Sequence, residues 1–391
     1  MLSKLRTSTT TSLSRTLTRT FSVSTPSRSP ATWSSVLAAR LFSSTSSIPP
    51  TMPALVVNTP SPSPSSLEFD PAWPSPSPSS LKDGEVIVEN HYAGVNFIDT
   101  YHRSGLYPRP LPFVCGQEAG GVVVHTTPIS EAQGLTVGTR VAYSVLGTYC
   151  KYTTVPAAKI LPVPDHLSLP KAISCVVQGL TAHYLTSSAH ANLISPGQWM
   201  LIHGVGGGTG QWACQMAKAQ GYRVIGTVSK GKAEAVKALD ACEELIVLDE
   251  VKGAKFEDYT SVDVVGRVME VTKGVGAHAV VDGIGLSTVD ISIDCLAQRG
   301  IFISFGNASG AVPAFPVLRL IGKSGFVTRP KLLDYTRNRE ELLSRAEEVF
   351  GWIEEGKLKV TVDKIFGLEE AGKAHEFLQS GASEGKVLYK I

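Results

Sequence analysis

Three observations predict an α/β protein in which a β domain is followed by a doubly wound parallel sheet. The first is the apolar run Trp199-Met200-Leu201-Ile202, which opens into His203-Gly204-Val205-Gly206-Gly207-Gly208-Thr209-Gly210 and continues with Trp212, Met216 and Ala217 at helical spacing. This is the pattern of strand, tight turn and helix. The second is the alternation of strand-like and helix-like runs beyond residue 180, which implies a parallel sheet covered by helices. The third is a set of short strand-like runs between residues 85 and 164, parted by turns with Gly and Pro, which implies a compact, barrel-like β domain.

From Met1 to Thr51 the chain carries six basic residues (Lys4, Arg6, Arg15, Arg19, Arg28, Arg40), no Asp or Glu, and dense Ser and Thr. That composition is the pattern of a mitochondrial transit peptide, and no stretch is apolar enough for a membrane span. Met52-Pro53-Ala54-Leu55-Val56-Val57 begins the folded part, so initiation at Met52 gives a second, cytosolic form. The formal net charge is +2, but outside the leader 30 of the 36 Lys and Arg face all 34 Asp and Glu, leaving a body of about −4. An acidic body with no RNA motif gives nucleic acid no broad electrostatic footprint. Its 340 residues are enough for two packed cores.

Residues 58–81 hold a duplication: Pro60-Ser61-Pro62-Ser63-Pro64-Ser65-Ser66-Leu67 recurs as Pro74-Ser75-Pro76-Ser77-Pro78-Ser79-Ser80-Leu81. Alternating proline removes backbone donors, so both copies are expected as extended surface loops. Strands are expected over 85–89, where Glu85-Val86-Ile87-Val88-Glu89 alternates, and over 121–124, 137–142 and 159–161. In the second part strands follow at 199–202, 222–228, 244–248, 278–283 and 300–305, with helices between them. A last helix spans about 338–355, placing Leu342, Ala346, Val349 and Ile353 on one face.

The glycine turn carries the chemistry. Gly204, Gly207 and Gly210 form G-x-x-G-x-x-G between a strand and a helix, and a second apolar strand begins about 20 residues after the first, as in a dinucleotide-binding βαβ unit. Glycine lets the backbone approach a pyrophosphate, and the uncapped N–H groups of the helix hold its charge, so Gly204, Gly207, Gly208, Thr209 and Gly210 are the expected cofactor seat. An acidic residue at the end of the second strand would accept bonds from a ribose 2′-hydroxyl. The chain offers Ser229-Lys230-Gly231-Lys232 instead, a hydroxyl and two ammonium groups suited to a 2′-phosphate, so NADPH is expected over NADH.

Two further stretches have a family likeness. Ala93-Gly94-Val95-Asn96-Phe97-Ile98-Asp99-Thr100-Tyr101-His102-Arg103-Ser104-Gly105-Leu106-Tyr107-Pro108 and Gly116-Gln117-Glu118-Ala119-Gly120-Gly121 closely resemble the zeta-crystallin-like quinone oxidoreductases of the medium-chain dehydrogenase/reductase superfamily. So do residues 179–184, 304–310, 327–330 and 385–388, and the resemblance covers nearly all of 82–391. It implies a GroES-like catalytic domain over 52–178, a Rossmann-type NADPH-binding domain over 179–325, and a return to the catalytic domain over 326–391. It also implies cofactor contacts at Thr181, Phe305, Asn307 and Lys386, and a cleft lined by Asn96, Tyr101 and Tyr107. Those three are the candidates to bond the nicotinamide amide or a quinone oxygen; for Tyr101 a bond to a backbone carbonyl is an equal reading. Relatives are commonly oligomeric, which implies a homodimer.

Alcohol dehydrogenases of the superfamily hold a catalytic zinc with a Cys and a His where this chain has Asn96 and Gln117. Cys115, Cys150, Cys175, Cys214, Cys242 and Cys295 show neither C-x-x-C spacing nor the close cluster of a structural zinc lobe, so no metal is expected. They read as free thiols, with Cys115 beside the cleft as a candidate reactive one. Without a Lewis acid, and with no Ser-Tyr-Lys or His relay, the sequence favours easy acceptors such as quinones, and also activated enones. A mitochondrial enoyl-thioester reductase is the second reading, opposed by the match around 96–108; an RNA-binding or lens-structural role, known among zeta-crystallin relatives, is the third. One departure stands out: relatives often carry a Tyr after the third nucleotide-domain strand, where this chain reads Leu245-Ile246-Val247-Leu248-Asp249.

Overall fold

The computed structural model describes residues 47–249 and 261–391, which lie within one compact unit, Ser44–Ile391. All but the last five residues of the expected leader fall outside the described residues. Ordered strand begins at Thr51–Val57, next to the expected start of the folded part.

Six parallel strands form the nucleotide-domain sheet. In spatial order they are Glu244–Leu248, Arg223–Ser229, Trp199–Ile202, Ala277–Asp282, Leu296–Ser304 and Phe326–Thr328, or 3-2-1-4-5-6 by their order in the chain. Such strands are buried on both faces, which is why they read as nearly continuous apolar runs. Side chains alternate across the sheet. Met200 and Ile202 face a core with Val224, Val281, Ile303 and Trp212, while Trp199 and Leu201 face the opposite one with Ile225, Val280, Phe302 and Val268. The order reverses between the first and fourth strands, so a crevice opens there at the carboxyl ends. The sixth strand, Phe326–Thr328, carries this sheet beyond the boundary expected at 325.

The other main sheet runs Val362–Gly367, Lys386–Lys390, Glu85–Val95, Glu118–His125, Arg140–Ser144, Ile160–Pro162, with Tyr152–Pro156 also paired to Glu85–Val95. The return to the first domain therefore begins at Val362. Helix Arg339–Glu354 precedes it and buries Leu342, Ala346 and Val349, with Ile353 partly covered, against the core that joins the two sheets.

The Pro/Ser repeat departs from expectation. Each copy closes in a one-turn 3-10 helix, Pro64–Ser66 and Pro78–Ser80, because proline at the first helical position has its φ preset and no donor to waste. The first copy is also anchored: the fully buried Arg103 guanidinium donates to the carbonyls of Pro62 (2.7 Å) and Ser61. Between the copies lies a strand, Leu67–Pro74, paired antiparallel to Thr51–Val57.

Candidate active site

At the head of helix Gly208–Ala219, Gly204 adopts φ +71°, and the Gly207 N–H closes the turn on the Gly204 carbonyl at 3.0 Å. A Cβ on Gly210 would collide with that carbonyl, and one on Gly208 with the Gln178 side chain. No side chain caps the helix, so its first N–H groups face the crevice with the positive end of the dipole. Thr209 lies in this first turn. Thr181 is buried on helix Leu180–Ser187.

The end of the second strand separates the two lysines. Ser229, half-buried, stands before the 3-10 turn Lys230–Lys232 and makes no side-chain capping bond to it. Lys230 projects into solvent and has no ion-pair partner among the described residues. The Lys232 stem lies over Gly206, where a Cβ would stand 2.8 Å from its Cδ, and its ammonium donates to the Ser383 carbonyl. Lys232 thus fastens the C-terminal segment to the glycine turn, and Lys230 is the cation open to an anion.

Across the crevice, helix Phe97–Ser104 begins at Asn96, whose N–H donates to Asp99 Oδ2 at 2.8 Å. The Tyr101 hydroxyl accepts the backbone N–H of Asn307 at 3.0 Å, and the Tyr107 hydroxyl accepts Asn307 Nδ2 at 3.3 Å. The two rings meet edge to face at 5.4 Å. Burial, the main cause, pushes the Tyr101 phenol up to about 12, so it stays protonated and can donate. Beside this junction a cavity of about 310 Å³ is lined by Pro62, Phe97, Tyr101, Leu106, Asn307 and Gln379. Phe305, half-buried, lays its ring against Gly283, where a Cβ would stand 2.6 Å away.

Asn96 is spoken for. Its Oδ1 accepts from Lys386 Nζ (2.9 Å), and its Nδ2 donates to Glu118 Oε1 (2.8 Å) and more weakly to the Gly94 carbonyl. Lys386 also donates to Glu118 Oε1, the Val177 N–H donates to Glu118 Oε2 at 2.6 Å, and both charged side chains are fully buried. The structure places Lys386, for which the resemblance implies a cofactor contact, under Asn96 as its support. One Oδ1 lone pair of Asn96 remains for a ligand. Gln117 Nε2 donates to Ser144 Oγ at 3.1 Å. Among the described residues no group of three or more His, Cys, Asp or Glu is placed to hold a metal ion.

Behind Asn96 a second buried chain runs inward. Arg103 Nη1 donates to His375 Nδ1 (2.9 Å), His375 Nε2 lies 3.4 Å from the Tyr149 hydroxyl, and that hydroxyl donates to Asp99 Oδ2 at 2.7 Å. Burial first, then Arg103, pushes His375 down to about 3, so it is neutral. Burial pushes Asp99 up to about 7, and its Oδ1 has no partner. Cys115, the candidate reactive thiol, is a buried free thiol; desolvation, aided by the Asp99 charge, pushes it far above the ordinary range, which leaves it unreactive.

Sequence reasoning assigned no role to Glu118 or Arg329. Glu118 has a visible signal, a charge inside the glycine-rich apolar stretch Gln117–Val124. Arg329 follows the sixth strand, and its Nη1 donates to Ser304 Oγ (2.9 Å) and to the Gly306 carbonyl (3.0 Å), fixing the loop that carries Asn307.

Comparison with known proteins agrees with this architecture. Residues 82–165 match the family described as alcohol dehydrogenase GroES-like domain, and residues 249–388 the family described as zinc-binding dehydrogenase. A quinone oxidoreductase of Salmonella typhimurium is 38% identical over 330 residues, covering 83% of this chain and 94% of that protein. A 2-haloacrylate reductase of a Burkholderia species is 36% identical, covering 78% and 90%. The solved structure of Escherichia coli quinone oxidoreductase complexed with NADPH superposes with a TM-score of 0.77 at 34% identity, covering 87% of this chain and all of that one. A mycobacterial protein complexed with NADPH gives 0.78 at 38% identity, with the same coverage. Sequence identity over almost the full length of these relatives, carried on the same two-domain α/β fold, shows that the chain is an oxidoreductase belonging to the quinone oxidoreductase family of the medium-chain dehydrogenase/reductase superfamily.

Proposed function

We propose that this protein reduces quinones with NADPH and without zinc, and accepts activated enones as a second class of acceptor. The observation that carries the reading is the Lys386–Glu118–Asn96 cluster. Two positions that hold metal ligands in zinc-dependent members carry neutral amides, and behind them the carboxylate is already paired with a buried ammonium. A dication there would have weak donors and a like charge beside it, so the residues do not fit zinc. The reaction then rests on acceptors that need no Lewis acid.

The residues do fit NADPH: the glycines leave a cradle that a Cβ would fill, the helix above is uncapped, and Lys230 stands open at the end of the second strand. When bound, the cofactor supplies a hydride from its nicotinamide. The chain holds the pyrophosphate on the N–H groups of residues 208–210, presents Tyr101 and Tyr107 as hydrogen-bond donors across the crevice, and excludes water where the tyrosines meet Asn307. Enones join quinones because the conjugated acceptor of a 2-haloacrylate reductase is handled by a relative on the same scaffold.

The partner we infer is a second copy of this chain. The outer edge of strand Phe326–Thr328 is unpaired, and Val317, Leu318, Ile321, Phe326 and Val327 are exposed around it, a combination of open edge and apolar patch that a copy would cover. Light scattering should give twice the chain mass.

The test of the main reading is NADPH oxidation over ortho- and para-quinones, enones and crotonyl thioesters, run beside a metal assay. Turnover of quinones that survives exhaustive chelation, with well under one zinc per chain, is expected. Stoichiometric zinc lost together with activity, or turnover of thioesters alone, refutes it.

A further inference from the structure

Arg329 carries unspent donors. Among the described arginines five pair with carboxylates (Arg140 with Asp165, Arg223 with Glu243, Arg267 with Glu244, Arg319 with Asp290, Arg345 with Glu341), and Arg103 is buried. Arg329 spends only Nη1, on Ser304 Oγ and the Gly306 carbonyl, and forms no ion pair with any described residue. Its Nε and Nη2 donors keep no protein partner among the described residues, and the side chain is exposed. The Nη1 bonds hold it against the loop whose next residue, Asn307, meets Tyr101. The Tyr101 hydroxyl, which accepts the Asn307 N–H, therefore stands on the same loop that the guanidinium grips.

Its place in the sheet says which end of the crevice this is. The 2′-phosphate candidate, Lys230, follows the second strand and the glycine turn follows the first, whereas Arg329 follows the sixth, three strand spacings from the first on the opposite side. At about 4.8 Å per strand that is about 14 Å from the phosphate-binding turn, at the end of the crevice where the acceptor must meet the nicotinamide. A free planar donor fork at that end, held on the loop that meets Tyr101 and without an ion pair to any described residue, suits an oxyanion on an aromatic ring.

We propose that Arg329 binds the oxyanion of the reduced acceptor, making the site selective for acceptors that become phenolate-like. This rests on the quinone reading. A hydride, two electrons and one proton, passes from the reduced nicotinamide to the quinone; the oxidised nicotinamide and a hydroquinone monoanion result, and solvent supplies the second proton. The guanidinium holds the monoanion while that proton is awaited, and stabilises the same charge as it develops in the transition state.

The decisive test needs no turnover. 4-Nitrophenol, a stable phenol whose ionisation is visible by absorbance, is titrated with pH in the presence of saturating cofactor-free protein. Bound to wild type it should ionise at least tenfold more readily than in free solution; Arg329→Gln should abolish that shift, and Arg329→Lys should keep part of it. In parallel, Arg329→Gln should lose roughly 10- to 100-fold in kcat for quinones, most for electron-rich ones whose monoanions need most help, while NADPH affinity measured by fluorescence is unchanged. Failure of wild type to bind 4-nitrophenol, an equal shift in wild type and Arg329→Gln, or weakened NADPH binding in place of the shift, each overturns the assignment. Should Arg329→Gln not fold, loss of the shift on blocking exposed arginines with phenylglyoxal, spared in Arg329→Lys, supports it and retention overturns it. Absence of any quinone turnover by wild type refutes the quinone reading instead, whatever the nitrophenol result.

Discussion

Removing Lys386 should unfold much of the protein's stability margin without touching cofactor choice. In the native state the ammonium and the Glu118 carboxylate are both fully buried, and Glu118 also accepts from Asn96 Nδ2 and the Val177 N–H. Lys386→Met leaves that carboxylate with two neutral donors and strips Asn96 Oδ1 of its partner. Breaking a buried pair from one side costs about 3–5 kcal/mol. Replacing both charges, as Lys386→Met with Glu118→Leu, removes the buried charge and leaves mainly two donors unsatisfied, each worth about 1–3 kcal/mol. The double variant should therefore be far less destabilised than the sum of the singles, with a coupling of at least about 2 kcal/mol. Urea unfolding followed by tryptophan fluorescence gives the cycle, provided the denaturant slope is unchanged. Additivity within about 0.5 kcal/mol would refute the buried-pair account. A selective rise in KM for NADPH over NADH would instead return Lys386 to the cofactor.

Three other outcomes are expected. Lys230→Ala should raise KM for NADPH about 5- to 30-fold, the worth of one exposed charge-assisted contact of about 1–2 kcal/mol, and leave NADH kinetics alone; Lys232→Ala should weaken both cofactors alike, since its ammonium serves Ser383, and full retention of the preference in Lys230→Ala moves the selectivity elsewhere. Asp99, pushed up to about 7 in the fold from its ordinary 3.8, is held protonated there; the native state then binds more protons than the unfolded one between about pH 4 and 7, so stability falls as pH rises through that window by at most about 4 kcal/mol. Asp99→Asn should lack this slope in a urea-midpoint profile, and parallel profiles for the two proteins would sink the idea. Residues 1–51 fused to a fluorescent reporter should enter mitochondria, and changing the six basic residues to Gln should abolish entry; a cytosolic reporter on the unaltered leader favours Met52 as the start.

Local chemistry made the nucleotide domain readable. The glycine turn, its strands and its helix lie within about thirty consecutive residues, and each strand announces itself as an apolar run because both of its faces are covered. The strand at 326–328 escaped because it is an exposed edge of three residues with little apolar burial. Strand Leu67–Pro74 escaped because it is mostly exposed and lies between two proline tracts that dominate the local signal. The split between Lys230 and Lys232 was out of reach, since it depends on a carbonyl about 150 residues away. So was the support under Asn96: Lys386 and Glu118 stand 268 residues apart, and no spacing rule joins them.

The placement of the last strand bears on the order in which the chain can acquire its structure during synthesis. Residues 199–328 complete the parallel sheet from one continuous stretch, so that half can form as soon as it leaves the ribosome. The neighbouring sheet cannot: Lys386–Lys390 lies between Glu85–Val95 and Val362–Gly367, pairing with both. Until Lys386–Lys390 emerges, Glu85–Val95 keeps an open edge and Glu118 has a buried place prepared but no countercharge. The N-terminal domain, though made first, is thus finished last, and loss of even a few C-terminal residues should expose its central strand to pairing with other chains.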